Sequence, residues 1–202
     1  MTIHTRHDWS AHLRSIAALA DPVDGKSLHL GPLEEDVRGA LELPPADHLP
    51  FRAGTAPGTG RIAGEELAFW RTLARGGELP DAVTRTDRPT LLAADAFDAI
   101  EVFVDAELSA LHALWHLARR HAGSRAEQRL TDVRNWHLEH TQPDNATNRP
   151  WALHVFIEAR TPESMLYAET LLHNAIALEG KPTPLGGALL RDAARAIDAM
   201  SW

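Results

Sequence analysis

Between Asp95 and Trp151, two amphipathic helical patterns stand back to back with only Gly123 and Ser124 between them. The first runs from Asp95 to His121. Gly123 stops it, and Ser124 with Glu127 forms a capping box for the second, which ends near Thr141, ahead of Pro143. So short a connection predicts a long antiparallel αα-hairpin, and a hairpin of this length must find further helices to cover its apolar faces.

The rest of the chain supplies them. A third helix is predicted from about Asn148, with Pro150 in its first turn, to about Ala159. Thr161-Pro162-Glu163 caps a fourth that Gly180 terminates, and a fifth spans about Pro184 to Met200. No apolar–polar alternation of strand length occurs, and no internal repeat is evident. The expected fold class is therefore all-α, a helical bundle-like domain. Residues 92–202 are expected to form its five-helix core and residues 1–91 a loop-rich N-terminal extension, together one compact unit by length.

Three short helices are expected in that extension. Asp8 caps one carrying Trp9, Leu13, Ile16 and Leu19, which Asp21-Pro22 ends. Pro32 opens a second with Leu33, Val37 and Leu41, stopped by Pro44-Pro45; a third runs from about Gly64 to Arg75, with Leu67, Trp70 and Leu73 on one face. The stretch 44–62 between them is long for a compact domain. Its Gly58-Thr59-Gly60-Arg61 lacks the preceding strand, the lysine and the Ser/Thr of a phosphate-binding loop.

Charge and composition narrow the function classes. A net charge of −8 leaves no basic surface for phosphates, which argues against nucleic acid and against anionic membrane surfaces. The absence of cysteine removes disulfides, thiolate nucleophiles and Cys-ligated zinc. The apolar run Ile100 to Leu117 is broken by Glu101, Asp105, Glu107, His112 and His116, as in a buried helix rather than a membrane span. The opening residues lack the apolar segment of a secretory signal, and a cytoplasmic location is expected.

Twelve histidines are the compositional excess with chemical meaning. On a helical projection Asp98, Glu101, Asp105, His112, His116 and Arg119 fall in one stripe about 60° wide. Almost everything else between Asp95 and His121 is apolar, so the stripe faces either a thin strip of solvent or an acidic, histidine-lined pocket wall. Glu107 stands alone on the apolar side and needs a partner, because a buried unpaired carboxylate costs several kcal/mol. In the hairpin, position 107 lies level with His140, and His112 with a point about 3 Å from the height of His137.

This convergence predicts a metal site of Glu107, His112, His137 and His140, with zinc or iron as the expected ion. Alternatively, Glu107 and His140 form a metal-free acid–base pair, or a buried ion pair with no further role. Further one-turn pairs, His154 with Glu158 and Glu169 with His173, repeat the ligand spacing on later helices. The loop 141–150, flanked by Trp136 and Trp151, offers Asp144, Asn145 and Asn148, which with Asp105 are expected at a pocket mouth; turn chemistry accounts for the same residues.

His112-x-x-x-His116 is a spacing shared with metal-binding bundles of the hemerythrin and DinB types, but the order of the remaining histidines fits neither, and no family is assigned. The expected function is metal binding, or metal-dependent catalysis on a small polar substrate. The alternative is a non-catalytic scaffold that meets a protein partner.

Overall fold

The computed structural model describes residues 5–22, 34–42, 62–142 and 147–200. Among these, every regular element is helical: α1 (Arg6–Ala17), α2 (Glu34–Ala40), α3 (Ile62–Arg75), α4 (Asp81–Thr84), α5 (Ile100–Arg120), α6 (Arg125–His140), α7 (Leu153–Ala159), α8 (Pro162–Ala177) and α9 (Pro184–Ala199), with a 3₁₀ turn at Ala94–Ala96. The all-α bundle expected from the patterning is what forms. No helix among the described residues is long and apolar enough to cross a membrane.

α5 is the central helix. Phe103, Val104, Leu108, Leu111, Leu114 and Leu117 are all buried, and it packs against α3 and α6 and touches α7. It starts at Ile100 rather than Asp95, because the 3₁₀ turn and the extended Phe97 intervene. Its exit is as expected: Gly123 adopts φ 76°, a conformation that strains any side chain, and the Ser124 hydroxyl accepts from the Ala126 amide to start α6.

α1 is held by a capping box in which Thr5, not Asp8, is the cap; Asp8 is the reciprocal partner three residues on. Trp9, Leu13, Ile16 and Ala17 bury against α9, whereas Leu19 lies past the helix end and is 56% exposed. The α1–α9 approach is close enough that a Cβ on Gly187 would sit 2.4 Å from the Ala20 Cβ. Phe69, Trp70 and Leu73 of α3 join the same core as the later helices.

α7 is shorter than expected. Ala152 takes a left-handed conformation (φ 52°) and the helix begins only at Leu153, so Pro150 precedes it rather than lying in its first turn. The Thr161 cap of α8 and the Pro184 start of α9 match expectation. Pro32, Leu33, Pro44-Pro45 and nearly all of the 44–62 stretch lie outside the described residues.

Candidate metal centre

His112 sits on the face of α5 that looks toward α7 and α9. Its Nδ1 accepts the backbone N–H of Ala152 at 3.1 Å, so in the neutral ring Nε2 carries the proton and donates to Asp192 Oδ2 at 2.9 Å. One turn on, His116 Nε2 donates to the same oxygen at 2.8 Å. Asp192 itself is buried on α9, and its other oxygen accepts from Arg195 at 3.1 Å. Burial works to raise the Asp192 carboxyl, but the hydrogen bonds from His112 and His116 outweigh it and hold it well below the usual carboxylate range. Burial lowers His112, with Asp192 opposing.

The third imidazole is the informative one. His154, on the first turn of α7, is fully buried, and neither ring nitrogen has a hydrogen-bond partner among the described residues. Its ring centroid lies 4.6 Å from that of His112 and 5.6 Å from that of His116. Burial, reinforced by the two neighbouring imidazoles, holds it well below the ordinary histidine value, so the ring is a neutral lone-pair donor. One nitrogen from each of His112, His116 and His154 falls within 4.8 Å of the other two. No family model, curated protein or solved structure matches the chain. The reading rests on the side chains themselves.

Aromatic rings wall this centre. Trp115 meets His154 edge-on at 4.7 Å, and Trp70 and Trp151 lie 5.6 and 5.8 Å from His112. Trp115 Nε1 donates to Glu158 at 2.8 Å, and Glu158 also pairs with Arg119, whose guanidinium lies over the Trp115 ring. His112 and His154 are completely buried; the His116 side chain, 24% exposed, faces the solvent edge.

Of the residues expected to ligate, only His112 belongs to this group. Glu107 is fully buried, but its partners are the consecutive amides of Leu91 and Leu92, at 2.5 and 2.7 Å. Burial pushes it up to about 7 against those amides and the nearby Arg129 and Arg88. Glu107 points to the segment before α5, near Arg129 of α6, and not to His140. His140 is exposed, stacked on Trp136 with its Nδ1 on the Trp136 carbonyl. His137 is buried beside Thr141, Phe156 and Tyr167, and burial lowers it to about 3. The Glu107–His140 pair is therefore not formed, and Glu107, His112, His137 and His140 do not converge.

Asp105 is not at an open mouth: it pairs with Arg149 at 2.6 Å and accepts from Thr147 at 2.5 Å. Asn148 is exposed, while Asp144 and Asn145 lie outside the described residues. Trp151 is buried rather than flanking a loop pocket. Beside Asp105, the partly buried Glu66 is pushed up to about 8 by burial, with a Ser109 hydrogen bond opposing; that hydroxyl also accepts from Trp70 at 2.9 Å.

Asp192 was missed by sequence reasoning, and His116 and His154 were noted without being joined. For Asp192 the signal was present: it lies between Leu189, Ala193 and Ala196 on the apolar side of α9, an isolated charge of the kind that singled out Glu107.

Proposed function

We propose that the protein binds a divalent transition metal, zinc or iron, through His112, His116 and His154, with Asp192 as the fourth donor. The observation that carries this is His154. A buried imidazole with both nitrogens unpartnered is costly, roughly 1–3 kcal/mol for each polar group left unsatisfied, and a metal is the partner that three converging imidazoles fit. His112 faces the site with Nε2, which carries the ring's proton while Nδ1 accepts from Ala152, so ligation there would require that proton to move to Nδ1 and the Ala152 contact to open. Asp192 Oδ2, within 3 Å of both Nε2 atoms, then exchanges two hydrogen bonds for one shared cation.

Bound there, zinc or iron supplies a Lewis acid for a small polar substrate. The protein's own part is to hold the imidazoles neutral and to exclude water with Trp70, Trp115 and Trp151. Access from the His116 side leaves one direction for a ligand.

Elemental analysis of untagged protein tests the reading. One equivalent of metal is expected in the wild type, and its loss in His154→Ala and His116→Ala. Less than about 0.1 equivalent, with no uptake when zinc or ferrous iron is titrated in, overturns it.

A second reading, a non-catalytic interaction protein, draws support from Ile100 and Val102, which are 60% and 59% exposed at the start of α5. Loss of metal binding from the account would leave this reading standing.

A further inference from the structure

On the side of α9 that meets α1, Arg14 from α1 and Arg191 and Arg195 from α9, with Ala18, line one open cleft of about 470 Å³, largely with their aliphatic stems. We propose that this cleft is a binding site for a small anion, a phosphate-bearing or carboxylate-bearing molecule. The inference goes beyond metal binding and does not depend on it.

Several observations converge. Arg191 and Arg195 are four apart on one helix, where like charges repel unless something negative lies between them. Two of the three arginines have a carboxylate partner on α9, Arg14 with Asp198 and Arg195 with Asp192. Arg191 has none among the described residues; its recorded contact is a 3.3 Å hydrogen bond from Nη1 to the Ala17 carbonyl. Three cations against two carboxylates leave a local positive excess in a chain whose net charge is −8. Guanidinium forks match phosphate and carboxylate in a two-pronged geometry. Burial and the neighbouring Arg195 both push the Arg191 guanidinium down, the environment an anion would relieve.

The position also matters. Arg195 holds Oδ1 of Asp192, whose Oδ2 holds His112 and His116. An anion in the cleft thus competes for the one arginine that neutralises the histidine centre's carboxylate.

Isothermal titration calorimetry of the as-purified full-length protein at low ionic strength tests this, with inorganic phosphate in one arm and succinate in the other. Saturable binding near one equivalent is expected in at least one arm, and the tighter arm assigns the ligand chemistry. Arg191→Gln should weaken it tenfold or more without changing the far-UV circular dichroism, Arg191→Lys less so. Arg125→Gln, an exposed arginine on α6, should leave it unchanged. No saturable binding in either arm, or equal weakening by Arg191→Gln and Arg125→Gln, overturns the proposal. Because Arg191 touches none of the histidines, loss of anion binding with metal content intact separates this result from the metal test.

Discussion

The backbone amide of Ala152 donates to Nδ1 of His112 at 3.1 Å, and so dictates which nitrogen of that ring carries the proton. The donor sits in a left-handed conformation, φ 52° and ψ 16°, that costs an alanine roughly 1–2 kcal/mol. Glycine adopts it without that cost but loses more freedom on folding. It also lacks the buried Ala152 methyl, so Ala152→Gly is expected to change stability by no more than about 0.5 kcal/mol, read from urea denaturation, with metal content unchanged.

His154→Leu separates stability from function. With chelator present, removing an imidazole that has no partner should raise the unfolding free energy by about 1–3 kcal/mol, while metal uptake disappears. A loss of stability in the metal-free variant would mean that His154 has a polar partner after all.

Asp192→Asn keeps an acceptor for His112 and His116 but removes the charge. Metal affinity is expected to fall about 10- to 100-fold, measured by competition with a chromophoric chelator, with the helical content preserved. Unchanged affinity would exclude the carboxylate as a donor.

Glu107→Ala leaves two adjacent buried amides without an acceptor and should cost about 2–5 kcal/mol, yet leave bound metal at the wild-type level. His140→Ala, on the surface, should change stability by no more than about 0.5 kcal/mol and likewise keep the metal. Metal loss in either variant would contradict the placement of these residues.

Stability should depend on pH in two limbs. Glu66 and Glu107, raised from 4.5 to about 8 and about 7, keep protons in the fold that the unfolded chain releases. Their contribution is full below the unfolded value and is lost as pH rises through 7 and 8. His137, lowered from 6.5 to about 3, acts in the opposite sense, and its contribution is lost as pH falls below 6.5. Above 4.5 the two carboxyls outweigh the one imidazole, so on these three groups thermal unfolding from pH 3 to 9 should show a maximum near 4.5, with a flatter alkaline limb in Glu66→Gln and a flatter acid limb in His137→Leu.

The helices were legible because their ends are local chemistry. Gly123, the Ser124 cap, Thr161-Pro162 and the Pro184 start each act within a few residues, and the structure places helix ends there. The stripe on α5 was also legible: His112 and His116 face the centre, Asp105 meets Arg149, and Arg119 meets Glu158. What joins them was not. His112 reaches Ala152 across 40 residues and Asp192 across 80, and no spacing within one helix encodes such contacts. Glu107 shows the limit from the other direction. Its burial was inferable, but the partner is backbone from Leu91 and Leu92, which carries no side-chain signature. Matching heights along α5 and α6 could not find the histidines that meet, because His112 and His116 of α5 are joined by His154 of α7.

Glu107 and His112 fasten α5 on two different sides, one to the amides of the preceding segment and one to the turn before α7. Sliding α5 by a single residue would swing both groups by about 100° and strand them together. Leucines and alanines in the same helix would tolerate such a slip far better, since grease has no direction. The polar fastenings, rather than the oily contacts around them, set the alignment of the bundle.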